Sequence, residues 1–236
     1  MAGVLFGPEW FFGEGIIIDI FSVFALALVT FFSLKYYRVR KSRSYLYLAI
    51  SFGLLIASLV LKNLISTGIH YDIFGMGQFG FGMLGYYALK SANQLIFWAY
   101  SLYYLIALVG LYIFYSIYQK QSPYTIALVV YLLLISTYFS YPYVTIFFLS
   151  SFMILLLITV QCTQRYISKK YPATRLLVVS LGLLTLSQVC FMLMGIDAAF
   201  YIVAEFVQLA GYTLLLITLI AVLIHGRKKD ENRYYW

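Results

Sequence analysis

The feature that most constrains this chain is an apolar run that recurs seven times with almost no charge inside it. The runs cover residues 15–34, 45–67, 90–118, 124–141, 143–164, 176–195 and 198–225, and their only charged members are Asp19, Lys62, Lys90 and Glu205. A helix rises about 1.5 Å per residue, so about 20 apolar residues match the hydrocarbon thickness of a bilayer. In lipid every backbone N–H and C=O must be paired inside the protein, and a single segment of this length achieves that only as an α-helix. The expectation is therefore an all-α, polytopic membrane protein, a seven-transmembrane helix bundle. Composition removes the soluble alternative. Only 10% of the 236 residues are charged, against about 25% in a soluble domain.

The basic residues set the direction. Lys35, Arg38, Arg40, Lys41 and Arg43 follow the first run, and Lys120 follows the third. Arg165, Lys169, Lys170 and Arg175 follow the fifth, and Arg227, Lys228, Lys229 and Arg233 follow the seventh. Of the 16 lysines and arginines, only Lys62 and Lys90 fall toward the other side. Positive charge stays cytoplasmic, which puts the N-terminus outside and the C-terminus inside and requires an odd number of spans. Residues 1–226 form one seven-helix transmembrane domain, and 227–236 a short basic cytoplasmic tail. The net charge of +8 thus reports topology. The expected partner is the lipid bilayer of the cell (plasma) membrane, with no nucleic acid. The opening "MAGVLFGPEWFFGE" lacks Lys and Arg, so no signal-peptide n-region is expected there. Pro142 in "SYPYV" disfavours helix at the residue before it and predicts a tight turn between the fourth and fifth spans.

Several spans carry polar residues at helical spacing. Ser44, Ser51, Ser58, Lys62 and Ser66 share one face of the second, and Asp19, Ser22, Thr30 and Ser33 repeat along the first. The third starts with Lys90, Ser91, Asn93 and Gln94, with Ser101 further on, and the sixth carries Ser180, Thr185, Ser187 and Gln188. In the seventh, Glu205 and Gln208 sit beside Ala204 and Gly211. Hydroxyls and small residues let membrane helices approach and bond to one another. Ionisable groups differ, because inside hydrocarbon they cost several kcal/mol unless paired or hydrated. Counted from the ends of their runs, Asp19, Lys62 and Glu205 lie roughly 6, 8 and 10 Å below the outer surface. Spans one, two and seven adjoin in a compact seven-helix bundle. Lys62 is thus expected to pair with Glu205, Asp19 or both, with Asn63, Asn93 or Gln208 completing the set. A separation beyond about 6 Å from both carboxylates would break that pairing. The cluster reads either as an ion pair that locks three helices or as a ligand, ion or proton site.

The longest outer connection, "GIHYDIFGMGQFGFGMLGYYALK" over 68–90, is rich in glycine, which disfavours a regular helix. It reads as a flap or plug over the bundle mouth, or as an interfacial loop. Cys162 and Cys190 fall roughly 20 Å apart in depth, too far for a disulfide, and read as small buried hydrophobes. His70 in the outer connection and His225 at the inner end of the last span lie on opposite sides. No shared metal or haem, no cofactor and no enzymatic activity is expected, and no HExxH or Gly-x-Ser-x-Gly stretch occurs.

The seven-span, N-outside layout resembles that of microbial opsins and G-protein-coupled receptors in topology. The last span holds no lysine before Lys228, so covalent retinal is not expected. The stretch "YIVAEFVQLAGYTLLLITLI" is similar to the last span of archaeal seven-helix sensor-like membrane proteins, with a polar helix start, "LxGY" and a Leu/Ile run. That resemblance implies a receptor- or sensor-like module that signals through a separate cytoplasmic partner or membrane subunit. The alternative is a small-solute or ion transporter or channel using Asp19, Lys62 and Glu205 along its path. A continuous polar path to the inner face fits transport. A closed outer pocket above a packed apolar inner half fits a receptor.

Overall fold

The computed structural model describes residues 11–70, 83–118, 123–140, 143–169 and 172–231. The regular elements there are seven α-helices: α1 (Phe12–Arg40), α2 (Arg43–His70), α3 (Met83–Ser116), α4 (Pro123–Ser140), α5 (Val144–Lys169), α6 (Pro172–Leu193) and α7 (Ala199–Glu231). Six of them are long and apolar enough to cross a membrane. The exception is α4, whose 18 residues span about 27 Å, at the short end for a crossing. Pro123 and Pro172 each open a helix, where the missing proline N–H is one that would go unpaired anyway. At the start of α7, Asp197 Oδ1 accepts from the Ala199 N–H at 2.9 Å, supplying one of the partners that a helix N-terminus lacks.

The helices outrun the apolar segments. α1 continues past Leu34 through "KYYRVR" and stops at Lys41, whose φ of 51° is left-handed and whose N–H bonds to Tyr37 O at 2.8 Å. α7 likewise runs on through Arg227 to Glu231 rather than ending at the basic tail. The glycine-rich outer connection is shorter than its composition predicts, because α2 extends to His70 and α3 already starts at Met83. Gly85 therefore lies in a helix. Its penalty of about 1 kcal/mol is smaller than that of unpaired backbone in an apolar setting. The remainder, 71–82, and with it the flap or plug, lies outside the described residues.

Packing runs α1 on α2, α2 on α3, α3 on α5, α5 on α6, α6 on α7, and α7 back on α1. These six helices close a ring, and α4 stands outside it against α3 and α5. α4 packs against α5, tied by Ser136 Oγ and Ser150 Oγ at 2.6 Å; Pro142, where a tight turn is expected, lies outside the described residues. Most of the hydroxyl stripes serve packing or bond back along their own helix. Ser33, Thr185 and Ser187 bond to carbonyls three or four residues earlier, while Ser51 Oγ crosses from α2 to Gly110 O on α3 at 2.8 Å. Two expected stripe members face outward, Ser44 and Gln94. The inward face of α3 is instead set by Tyr100, Tyr104, Ala107, Leu108, Leu111 and Phe114.

α6 and α7 approach closely at Gly211, where a Cβ would lie 2.7 Å from Leu184 Cδ2 and 3.3 Å from the Leu184 backbone N. Gly211→Ala is expected to destabilise the bundle by about 1–3 kcal/mol through overpacking. Adding Leu184→Ala should recover part of that loss, because the two changes compete for one space. Denaturation of both variants and the double variant in lipid checks this, and strictly additive losses would refute it.

Candidate functional site

Asp19, Lys62 and Glu205 come from three helices whose directions alternate. Asp19 is seven residues from the start of α1, Lys62 eight from the end of α2, and Glu205 six from the start of α7. At about 1.5 Å per residue all three sit roughly 10 Å below the same end of the bundle. α1 packs against both α2 and α7, so the three side chains converge. Lys62 Nζ donates to Glu205 Oε1 at 2.9 Å and lies 3.0 Å from Asp19 Oδ2. Asp19 and Glu205 are 3% and 1% exposed. The Lys62 side chain is 15% exposed, and its ammonium lies 6.0 Å from the centre of the Tyr201 ring. Two carboxylates thus face one ammonium in a largely buried setting, where an unmatched charge is expensive.

The other candidates stand apart from this triad. Asn63, next to Lys62 on α2, is half-buried, while the hydrogen bonds of Lys62 go to Asp19 and Glu205. Asn93 lies in α3, and its side chain is outside the described residues. Gln208 donates to Tyr212 Oη at 2.9 Å instead of completing the triad. Three residues apart, the two side chains are offset by about 60° around α7; Gln208 borders the central cavity and Glu205 does not. Cys162 is buried, Cys190 is partly buried, and both are free thiols. Among the described residues no group of three or more His, Cys, Asp and Glu side chains is placed to hold a metal ion.

Inside the ring, next to the triad, is a cavity of about 90 Å³. Lys62 borders it; Asp19 and Glu205 do not. Its walls are largely aromatic. Tyr104 and Phe147 approach to 4.6 Å between ring centres, and Phe148 stacks on Phe191 at 4.8 Å and 9°. Four further polar residues border it: Ser58, Ser151, Gln188 and Gln208. Ser151 is 2% exposed, and its Oγ has no hydrogen-bond partner among the described residues. The floor of the cavity, toward the end where α1, α3, α5 and α7 finish, is lined by Phe52, Leu111, Phe114, Leu155 and Leu184. The Phe52 and Phe114 rings meet at 5.2 Å. These residues belong to an apolar cluster that also takes in Leu26 and Val29 of α1, Ile158 of α5, Leu181 of α6 and Leu215 of α7. All six ring helices contribute to this floor.

The aromatic wall is the part that sequence reading misses. Its one signal is the spacing of Tyr100, Tyr104, Ala107, Leu111 and Phe114, three or four residues apart, which marks one face of α3. No protein-family model matches the chain, and no curated protein and no solved structure matches it either.

Proposed function

We propose that the chain is a receptor- or sensor-like module of the cell membrane. It crosses seven times with its N-terminus outside, takes up a small ligand in the cavity beside Lys62, and signals through a separate partner at its basic cytoplasmic side. The observation that carries this reading is the pairing of a mostly apolar cavity bordered by Lys62 with an apolar floor to which all six ring helices contribute. Pockets for small molecules have this build, mostly apolar walls with a few placed polar groups. The similarity of the last span to archaeal sensor-like proteins points the same way. A transporter or channel is the second reading, favoured by the burial of three ionisable groups together, since such groups often mark ion or proton paths. The apolar cluster shared by all six ring helices weighs against it.

Flux separates the two readings. Reconstituted in sealed liposomes, the protein is expected to pass no protons, sodium or potassium down an imposed gradient. A flux that disappears in Glu205→Gln would establish the transporter instead.

The topology has its own test. Val39, Ile167 and Ile196 are 77%, 66% and 78% exposed at helix ends. In a background lacking Cys162 and Cys190, cysteines at 39 and 167 should react with a membrane-impermeant maleimide only after permeabilisation. A cysteine at 196 should react at once in intact cells. If 39 and 167 report opposite sides, α4 does not cross and the seven-span layout fails.

A further inference from the structure

The cavity itself narrows the class of ligand, on the reading that it is a ligand site. Its size comes first. At about 90 Å³ it is smaller than the roughly 150 Å³ apolar cavity that admits benzene, and a water takes up about 30 Å³. On that comparison the space holds a molecule of roughly three to four non-hydrogen atoms.

Its charge comes next. The charged residue that borders the space is Lys62, while neither carboxylate lines it. A cationic ligand would therefore meet a like charge first. An anionic ligand would add a third negative charge to a cluster in which two carboxylates already face one ammonium, and burying that excess is costly. A neutral molecule avoids both penalties. The ammonium faces three carboxylate oxygens, Asp19 Oδ2 at 3.0 Å, Asp19 Oδ1 at 3.4 Å and Glu205 Oε1 at 2.9 Å, so the hydrogen bond that a ligand needs comes from elsewhere.

A second, independent group points into the same space. Ser151 Oγ on α5 borders the cavity, is buried, and has no partner among the described residues. A buried hydroxyl left unpaired is expensive, and a ligand oxygen or a ligand hydroxyl would satisfy it. The aromatic faces of Tyr104, Phe148 and Phe191 offer the remaining surface to an apolar body.

We infer that the cavity binds a small neutral molecule with an apolar body and one hydrogen-bond-accepting oxygen, such as a short ketone or alcohol, held by the Ser151 hydroxyl. Lys62, already matched by Asp19 and Glu205, sets the sign of the charge that turns ions away.

The test uses the full chain in lipid nanodiscs and four probes of similar size: acetone, isobutene, acetate and isopropylammonium. Binding is read by ligand-observed saturation-transfer NMR and by the shift in unfolding temperature. Acetone should saturate, with affinity about fivefold above isobutene, the worth of one hydrogen bond. Its binding should vanish in Ala107→Phe, which fills the cavity from α3, or in Ser151→Leu, which fills it from α5, should the first fail to fold. Ser151→Ala should weaken acetone and leave isobutene unchanged. Equal binding of ketone and hydrocarbon, or tighter binding of acetate or isopropylammonium, overturns the ligand class and leaves the cavity as a ligand site. Saturation by none of the four, with the protein folded, overturns both.

Discussion

Lys62→Met is expected to destabilise the folded bundle by about 3–5 kcal/mol, the cost of removing one partner from a buried ion pair. The reason is what stays behind. Asp19 and Glu205, 3% and 1% exposed, would face each other with no cation between them. Glu205→Gln is expected to behave quite differently. It leaves a one-to-one pair of Lys62 with Asp19, and the new amide oxygen still accepts from the ammonium, so the loss should stay within about 1 kcal/mol. Asp19→Asn should resemble Glu205→Gln. The triple variant Asp19→Asn, Lys62→Met, Glu205→Gln should recover most of the Lys62→Met loss, because replacing a whole buried ionic cluster by neutral groups is often neutral or stabilising. Unfolding free energies in bicelles measure all of these. If Lys62→Met is as stable as the wild type, the triad contributes nothing to the fold. If the triple variant is as unstable as Lys62→Met, the loss comes from packing of the lysine stem and not from stranded charge.

This series also separates locking from recognition. Glu205→Gln keeps the fold yet changes the direction and field of the ammonium that borders the cavity. A protein that is equally stable but binds its ligand less well would place Glu205 in recognition as a positioning residue. One that is unchanged in both would leave the triad as a helix lock.

The triad was legible because ionisable residues are so scarce in the apolar runs. With only Asp19, Lys62, Lys90 and Glu205 inside them, depth along each helix was enough to bring three together. The cavity wall was not legible, for the opposite reason. The chain holds 24 tyrosines and 20 phenylalanines, and in a bilayer an aromatic ring suits lipid as well as a core. Trp98 is 69% exposed, whereas Tyr100, two residues on, is 2% exposed. Residue type alone cannot separate such neighbours. The adjacent serines make the same point. Ser150 bonds to Ile146 O and to Ser136 on α4, while Ser151 turns into the cavity. The place of α4 outside the ring was hidden as well, since its apolar content suits a peripheral helix and a central one equally. The early start of α3 was hidden because glycine content predicts local preference, and local preference yields where unpaired backbone is costlier.

Phe114→Ala is expected to cost about 3 kcal/mol, at the low end of the range for truncating a buried phenylalanine. In water that range includes the gain from removing the ring from solvent. Between membrane helices much of that gain is missing, since lipid tails are as apolar as the core, and the loss is mainly of packing. Phe114 is 2% exposed and packs on Phe52 at 5.2 Å and on Tyr118 at 5.7 Å. Removing it opens the floor of the cavity toward the end of α3. The functional consequence exceeds the energetic one. Wild-type protein in sealed liposomes should hold a proton gradient, and Phe114→Ala should dissipate it as water reaches through the enlarged space. Phe191→Ala, at the opposite end of the same cavity, removes a comparable ring without touching the floor and should leave the gradient intact. A leak in Phe114→Ala alone places the seal of the bundle in the layer of Phe52, Leu111, Phe114, Leu155 and Leu184. Equal leaks in both variants would mean that loosened packing anywhere admits water, and would take from that layer its role as the barrier that sets a receptor apart from a transporter.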